Sequence, residues 1–159
     1  MILQTGQRTD IPAFYGQWLI NRIYEGFVDV QNPYNPQQVT RYTINHDIVD
    51  GIAFCTKNPL PFIPLLNEIK DYRQYWHMTI TPYGRDIEPY VPQYESIIEG
   101  FKHISNELNP QSMVWRYDPI ILTHDYTIDF HFESFYNMAK SLMGYTDTVI
   151  VSFLDIFDK

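Results

Sequence analysis

The chain has 159 residues, of which 45% are hydrophobic and 19% charged, and its 19 acidic and 11 basic residues give a formal net charge of −8. A complete (β/α)₈ barrel takes about 250 residues, or about 31 per strand–helix unit, so the length excludes a whole barrel and allows about five units. The acidic charge argues against binding to nucleic acid, and no run of residues approaches the ~18 apolar residues of a membrane span.

The first 26 residues predict a short strand followed by a helix. Residues 2–5 form a short apolar segment at the start of the chain. Thr9 and Asp10 are good helix N-caps, and Pro12 favours the first helical turn. Apolar side chains then recur at helical spacing as far as Gly26, which suits the end of a helix. We therefore expect one helix between Asp10 and Gly26.

The rest of the chain alternates between strand and helix patterns. A small hairpin is predicted first, because residues 27–30 and 39–44 alternate in polarity around the turn-rich residues 32–36. Strand-like runs then lie at residues 51–56, 76–81, 113–115 and 148–153, with helical patterns at 62–69, 94–108 and 128–142 and a break at 116–119. The strands are apolar on both faces, which is typical of a parallel sheet covered by helices.

The predicted fold class is therefore α/β, with a mainly parallel sheet of about five βα units and a small hairpin after the first helix. We expect residues 1–159 to form a single domain, organised as a partial (β/α) barrel. Only six residues follow the last predicted strand, which leaves no room for a covering helix. We therefore expect the domain to be the N-terminal part of a longer fold.

Polar residues collect where the predicted strands end. Ligands of parallel α/β folds bind at the carboxyl ends of strands, where helix N-termini point inward. Four of the 11 basic residues fall in these segments. They predict an electropositive mouth that binds a phosphate or carboxylate of a small molecule. The candidate ligand-binding residues are Arg8, Thr9, Lys57, Asn58, Tyr83, Arg85, Arg116 and Tyr117.

An alternative interpretation of these segments is structural. Asp10, Asp86 and Asp118 each follow a candidate arginine by one or two positions and could neutralise it. Asp10 and Asp118 are also the candidates for a catalytic base, although an aspartate before proline is typical of a turn. The tyrosines could stack on a ligand, but 16% of the chain is aromatic, so their positions also agree with chance.

Histidine and cysteine indicate no metal site. His77 lies in a predicted strand, and His103 and His131 lie in predicted helices, where structural or surface roles are expected. Cys55 is the only cysteine and lies within a strand, where a buried inert thiol is expected. A single cysteine cannot hold an iron–sulfur cluster. We expect no cofactor in this chain, and a cytoplasmic location because the first residues lack the pattern of a secretory signal.

Five segments together resemble a bacterial family described only as a domain of unknown function. They are residues 8–15 (RTDIPAFY), 32–36 (NPYNP), 56–59 (TKNP), 79–89 (TITPYGRDIEP) and 115–120 (WRYDPI). Longer members of that family end in a Cys-rich segment similar to the cluster motif of radical S-adenosylmethionine proteins. The resemblance implies a partial or full barrel, with cluster and S-adenosylmethionine at the strands' carboxyl ends. Both would require the Cys-rich segment that this sequence lacks.

Three hypotheses follow. The leading one is the N-terminal part of a barrel-like enzyme of radical S-adenosylmethionine type, inactive alone, whose Arg8, Lys57, Arg85 and Arg116 segments face substrate or the carboxylate of the cofactor. The second is a non-catalytic module that binds an anionic small molecule. The third is an interaction subunit that covers its open sheet edge with another chain or with a second copy in a homodimer.

Overall fold

A computed structural model describes residues 1–6 and 8–155 as a five-stranded parallel sheet and a separate two-stranded antiparallel hairpin. The strands are β1 Ile2–Gln4, β2 Phe27–Asn32, β3 Asn35–Thr43, β4 Gly51–Thr56, β5 Gln74–Thr79, β6 Met113–Ile120 and β7 Thr148–Phe153. The helices are α1 Ile11–Phe14, α2 Gly16–Glu25, α3 Tyr94–Glu107 and α4 Ile128–Leu142, with 3₁₀ helices at Leu60–Ile69 and Pro110–Ser112. The predicted α/β class, parallel sheet and hairpin are confirmed, and the sheet is open rather than closed into a barrel.

The strand order of the sheet is β1-β4-β5-β6-β7, and all neighbours are parallel. Apart from the hairpin strands, each new strand therefore joins the edge formed by the one before it. A doubly wound sheet reverses direction at a switch point, whereas a (β/α) barrel adds its strands consecutively. Because parallel crossovers are right-handed, consecutive addition places the helices on one face of the sheet.

The helix-covered face holds the core. Side chains alternate between the faces of a strand, and one set from the three central strands is 5% exposed or less: Ile52, Phe54, Thr56, Trp76, Met78, Met113, Trp115 and Tyr117. Phe54 stacks on Trp76 with ring centroids 4.1 Å apart, and Trp115 stacks on Phe135 of α4 at 4.9 Å. Burying each such side chain contributes roughly 1.5–3 kcal/mol, so this face fixes the sheet against the helices.

The first helix differs from the prediction. Asp10 caps α1 by accepting a hydrogen bond from Ala13 N at 3.0 Å, as expected. Gly26 ends α2 with a positive φ of 78°, also as expected. The single predicted helix is wrong, however, because Tyr15 adopts a non-helical conformation (φ −133°, ψ 25°) that separates α1 from α2. Polarity patterns do not show a one-residue interruption of this kind.

Two further predictions are corrected. Residues 116–119, predicted as a break, belong to β6, because the buried Tyr117 side chain fills the core and the strand pairs with β7 as far as Ile120. The predicted helix at residues 62–69 is a 3₁₀ helix, Leu60–Ile69, with Pro64 inside it. Proline lacks the N–H that a continuous α-helix would need at that point.

Both edges of the five-stranded sheet lack a strand partner within the described part of the chain. All six residues of β7 are exposed, including Val149, Ile150, Val151 and Phe153. Exposed apolar strand edges readily pair with further strands. Among the described residues, no helix has the length and apolar character needed to cross a membrane.

Candidate functional site

Polar side chains from four strands lie on the sheet face opposite the described helices. Cys55 of β4 is the register partner of His77 in β5, and Thr79 of β5 is the register partner of Arg116 in β6. Asp118 of β6 lies beyond Arg116 and bonds to Ser152 of β7. We call these six residues the open-face cluster: Cys55, His77, Thr79, Arg116, Asp118 and Ser152. Their adjacency follows from the parallel register, which aligns residues of the same face side by side.

Arg116 and Asp118 form the charged centre of the cluster. Arg116 Nη2 donates to Asp118 Oδ2, and the Ser152 hydroxyl donates to Asp118 Oδ1. The Arg116 side chain is 36% exposed and that of Asp118 is 14% exposed. A guanidinium has five N–H donors, so one bond to Asp118 fixes its orientation and leaves donors that a bound anion could use. In this arrangement Asp118 therefore positions the guanidinium of Arg116.

His77 lies beside this ion pair and is half-buried. Burial lowers the pKa of His77, and the nearby positive charge of Arg116 lowers it further. Tyr75, on the same face, packs edge-on against the imidazole with ring centroids 5.0 Å apart. Near neutral pH the ring is therefore uncharged and has a nitrogen lone pair that can accept a proton.

A structural or surface role was expected for His77 and a buried inert thiol for Cys55, and neither expectation located the two residues on the open face. Both side chains are half-buried on the open face. The signal was present in the sequence as a two-residue spacing, because Cys55 alternates with the core residues Phe54 and Thr56, and His77 alternates with Trp76 and Met78. Only the pairing of the strands shows that both residues share a face with Arg116.

Lys57 and Asp10 meet at the carboxyl end of β4, and each also bonds to neighbouring polar residues. Lys57 Nζ forms an ion pair with Glu88, whose other oxygen accepts from the Thr81 hydroxyl at 2.9 Å. Asp10 accepts from Lys57 N at 2.8 Å and from the Thr56 hydroxyl at 2.9 Å, in addition to capping α1. The charge of Lys57 is thus compensated, and Asp10 acts as a tie between α1 and β4.

The remaining candidates of the sheet's carboxyl end have structural contacts or lie in solvent. Tyr83 donates to Pro119 O at 2.6 Å and accepts from Ile121 N at 2.8 Å. Asn58 accepts from Leu60 N at 3.2 Å and so begins the 3₁₀ helix. Arg85 is exposed. Its neighbour Asp86 does not pair with it but accepts from the Tyr126 hydroxyl at 2.7 Å.

Tyr117 belongs to the helix-covered core. Its hydroxyl is 2.7 Å from His131 Nδ1, and His131 Nε2 is 3.0 Å from Ile121 O. Burial raises the pKa of Tyr117 well above its ordinary value, so the phenol stays protonated. The expected structural role of His131 agrees with this network, which connects α4 to β6.

Arg8 and Thr9 line a different part of the molecule. Arg8 Nη1 donates to Gln31 O of β2 at 3.0 Å, and both residues border a cavity of about 480 Å³ between β1, α2 and β2. The four bases of the predicted mouth therefore have four different environments. Of the three aspartates predicted to neutralise neighbouring arginines, Asp118 pairs with its arginine, whereas Asp10 and Asp86 bind other partners.

The donor set does not fit a metal centre of the kind that the resemblance implies. An iron–sulfur cluster takes several cysteine ligands, and Cys55 is the only cysteine of the sequence. Among residues 1–6 and 8–155, no group of three or more His, Cys, Asp or Glu side chains is arranged to hold a metal ion. Any such cluster would need ligands from outside this sequence.

Comparison with known proteins identifies one family. A family model described as a domain of unknown function (DUF1848) matches residues 2–159. No curated protein and no solved structure shows a significant match.

Proposed function

The chain belongs to the DUF1848 family, and we propose that it forms part of a barrel-like enzyme that binds an anionic small molecule on the open face of its sheet. One observation carries the proposal: Arg116, His77 and Asp118 converge on the sheet face opposite the described helices. In (β/α) barrels that face is the inner wall, and substrates bind at its carboxyl end. The consecutive strand order supports the same assignment.

Each residue of the open-face cluster has a proposed part in binding. Arg116 contacts a phosphate or carboxylate oxygen of the ligand through N–H groups that Asp118 does not use. Asp118 and Ser152 position the guanidinium, so they act through Arg116. Burial and Arg116 keep His77 uncharged in the unliganded protein near neutral pH, so its imidazole can take a proton from a bound ligand, which is the task of a general base. The alternative is a binding module that holds the same anion without turnover.

The binding step can be tested with inorganic phosphate. We expect phosphate to shift the NMR signals of the His77 imidazole and to raise the melting temperature of the protein. Arg116→Gln should abolish both effects. Arg41→Gln is the matched control, because Arg41 is also paired with an aspartate, Asp29, but lies in the hairpin. A phosphate response that is equal in the two variants would refute binding at Arg116.

Turnover separates the enzyme from the binding module. Phosphates, nucleotides and S-adenosylmethionine can first be screened by thermal shift to find a stabilising ligand. If the chain is part of an enzyme, a ligand found in this way should be converted by a longer, Cys-complete form that contains this chain, and it should be bound but not converted by the same form carrying His77→Gln. Binding without conversion by any form that contains this chain would favour the binding module.

The radical S-adenosylmethionine assignment is a further part of the proposal and rests on the resemblance alone. Because Cys55 cannot hold a cluster by itself, we propose that the ligands come from a Cys-rich segment outside this sequence. The test is reconstitution of a Cys-complete family member with iron and sulfide, followed by its absorption spectrum. A Cys-complete form without a cluster spectrum would remove this part of the proposal and leave anion binding untouched.

A second candidate function is favoured by β7. Its two faces are exposed along six residues, and it carries Val149, Ile150 and Val151. We propose that another chain or a second copy adds a strand to this edge, as exposed strand edges do elsewhere. Size-exclusion chromatography with light scattering should show association that Ile150→Lys reduces. An unchanged monomer at high protein concentration would argue against self-association.

A further inference from the structure

The cavity between β1, α2 and β2 has the dimensions and walls of a small-molecule site. Its volume of about 480 Å³ falls within the roughly 300–1,000 Å³ of known ligand pockets. The apolar part of its lining includes Leu3, Ile11, Trp18, Leu19, Val28 and Ile44. Leu19 and Ile44 are buried, whereas Trp18 is 44% exposed. The cavity thus has a buried apolar wall and an accessible aromatic ring.

The charged residues that line this cavity leave an excess of positive charge. Arg8 is exposed, and its described hydrogen bond goes to the Gln31 carbonyl at 3.0 Å, which carries no net charge. Asp29 also lines the cavity. Arg41 binds both of its oxygens, at 2.8 and 2.7 Å, and lowers the pKa of Asp29. The negative charge of Asp29 is therefore compensated, whereas Arg8 has no carboxylate partner among residues 1–6 and 8–155.

Arg22 adds a second cation with an unsatisfied donor. Its Nη2 donates to Glu25 at 2.9 Å, but its Nε is buried and has no hydrogen-bond partner among the described residues. Leaving a buried donor without an acceptor is costly. Arg22 also lines the cavity, so its guanidinium borders the space that a bound carboxylate would occupy.

We propose that this cavity binds a small organic acid that has one carboxylate and an apolar, aromatic body. The carboxylate lies between Arg8 and Arg22, and the body packs against Trp18 and Val28. Arginine binds carboxylates well because its planar guanidinium matches their geometry. The site is independent of the open-face cluster, because Arg116 and His77 do not line the cavity.

Phenylacetate is a suitable probe, and two simpler compounds serve as controls because each lacks either its charge or its ring. The alcohol 2-phenylethanol has the ring without the charge, and acetate has the charge without the ring. We expect phenylacetate to bind at least about tenfold more tightly than either, because 2-phenylethanol lacks the hydrogen bond to a charged group, worth about 1.5–3 kcal/mol, and acetate lacks the apolar ring that would be buried. Trp18 fluorescence and calorimetry report the binding, and Trp18→Phe should remove the fluorescence change.

Two variants and one control variant locate the bound probe. Arg8→Gln should weaken phenylacetate by about tenfold and leave 2-phenylethanol unchanged. Arg73→Gln, which alters another exposed arginine next to the amino end of β5, should change neither affinity. Val28→Trp fills the cavity and should abolish binding of both ring compounds, with thermal melting used to verify that the variant is folded.

The possible failures are distinct. Equal affinity for phenylacetate and 2-phenylethanol would overturn the role of the arginines. Binding that persists in a folded Val28→Trp variant would overturn the location. Absence of phenylacetate binding to the folded wild-type protein would overturn the proposal as a whole. None of these results would affect phosphate binding at Arg116, which has its own variants.

Discussion

Replacement of Asp10 by alanine should destabilise the fold by about 3 kcal/mol. The carboxylate accepts from Ala13 N at 3.0 Å as the N-cap of α1, from the Thr56 hydroxyl at 2.9 Å and from Lys57 N at 2.8 Å. Loss of an N-cap typically costs about 1 kcal/mol. Each donor left without an acceptor costs about 1–3 kcal/mol, and water entering next to α1 would reduce that cost toward its lower end.

The assay is urea unfolding followed by circular dichroism, with thermal melting as a second measurement. For a chain of this size, 1 kcal/mol corresponds to about 2–4 °C in melting temperature, so a fall of about 6–12 °C is expected. Asp10→Asn separates the contributions, because its amide oxygen can still cap α1 while its NH₂ group faces the Lys57 N–H. We expect it to lose about 2 kcal/mol.

The control and the refuting result are specific. Asp71→Ala changes an exposed aspartate before β5 and should alter stability by less than about 0.5 kcal/mol. If Asp10→Ala were as stable as Asp71→Ala, the role of Asp10 as a tie between α1 and β4 would be wrong. Loss of turnover at unchanged stability, measured in a longer, active form that contains this chain, would instead support Asp10 as a catalytic base.

Three other predictions concern pH, a buried hydrogen bond and a glycine. Because the folded protein lowers the pKa of His77, the stabilising contribution of the uncharged imidazole is complete above about pH 6.5 and is lost as pH falls through the folded pKa. Urea unfolding at pH 5 and pH 7 should show this loss. His77→Gln should make the dependence of the unfolding free energy on pH flatter, not steeper. Tyr117→Phe leaves His131 Nδ1 without its partner and should lower the free energy of unfolding by about 1–3 kcal/mol in the same assay. An unchanged free energy of unfolding would show that water replaces the phenol. Gly6→Ala places a Cβ 2.9 Å from a β4 carbonyl oxygen at a φ of 103° and should cost about 2 kcal/mol or more. Gly144→Ala, with a φ of 85° but open space around it, should cost about 1–2 kcal/mol, and a larger loss there than at Gly6 would contradict the steric argument.

Local features of the fold could be predicted because their causes are local. Asp10 caps a helix through an amide three residues away, and Gly26 ends one through its own positive φ. The five parallel strands were evident as apolar runs of strand length. The direction and class of the sheet followed from their alternation with helical patterns, since short βαβ connections favour parallel pairing.

The candidate site could be predicted only in part, because its contacts are distant in sequence. Arg116 was identified as a base near the end of a strand, but its polar surroundings and Pro119 suggested a break instead of a continuous strand. Lys57 pairs with Glu88, 31 residues away, and Arg8 bonds to Gln31 across 23 residues. No local pattern predicts such partners, because they depend on how strands and loops come together.

The consecutive strand order also has a consequence for how the chain assembles. After β4 has joined β1, each later strand has its neighbour already in place when it is synthesised, so the sheet can grow from one end toward the other. The pairing of β1 with β4 has the largest entropic cost, because it closes a loop of about 46 residues. β1 can pair only after α1, α2 and the hairpin have been synthesised. Substitutions that slow folding should therefore concentrate in the β1–β4 contact, whereas substitutions in β7 should mainly speed unfolding.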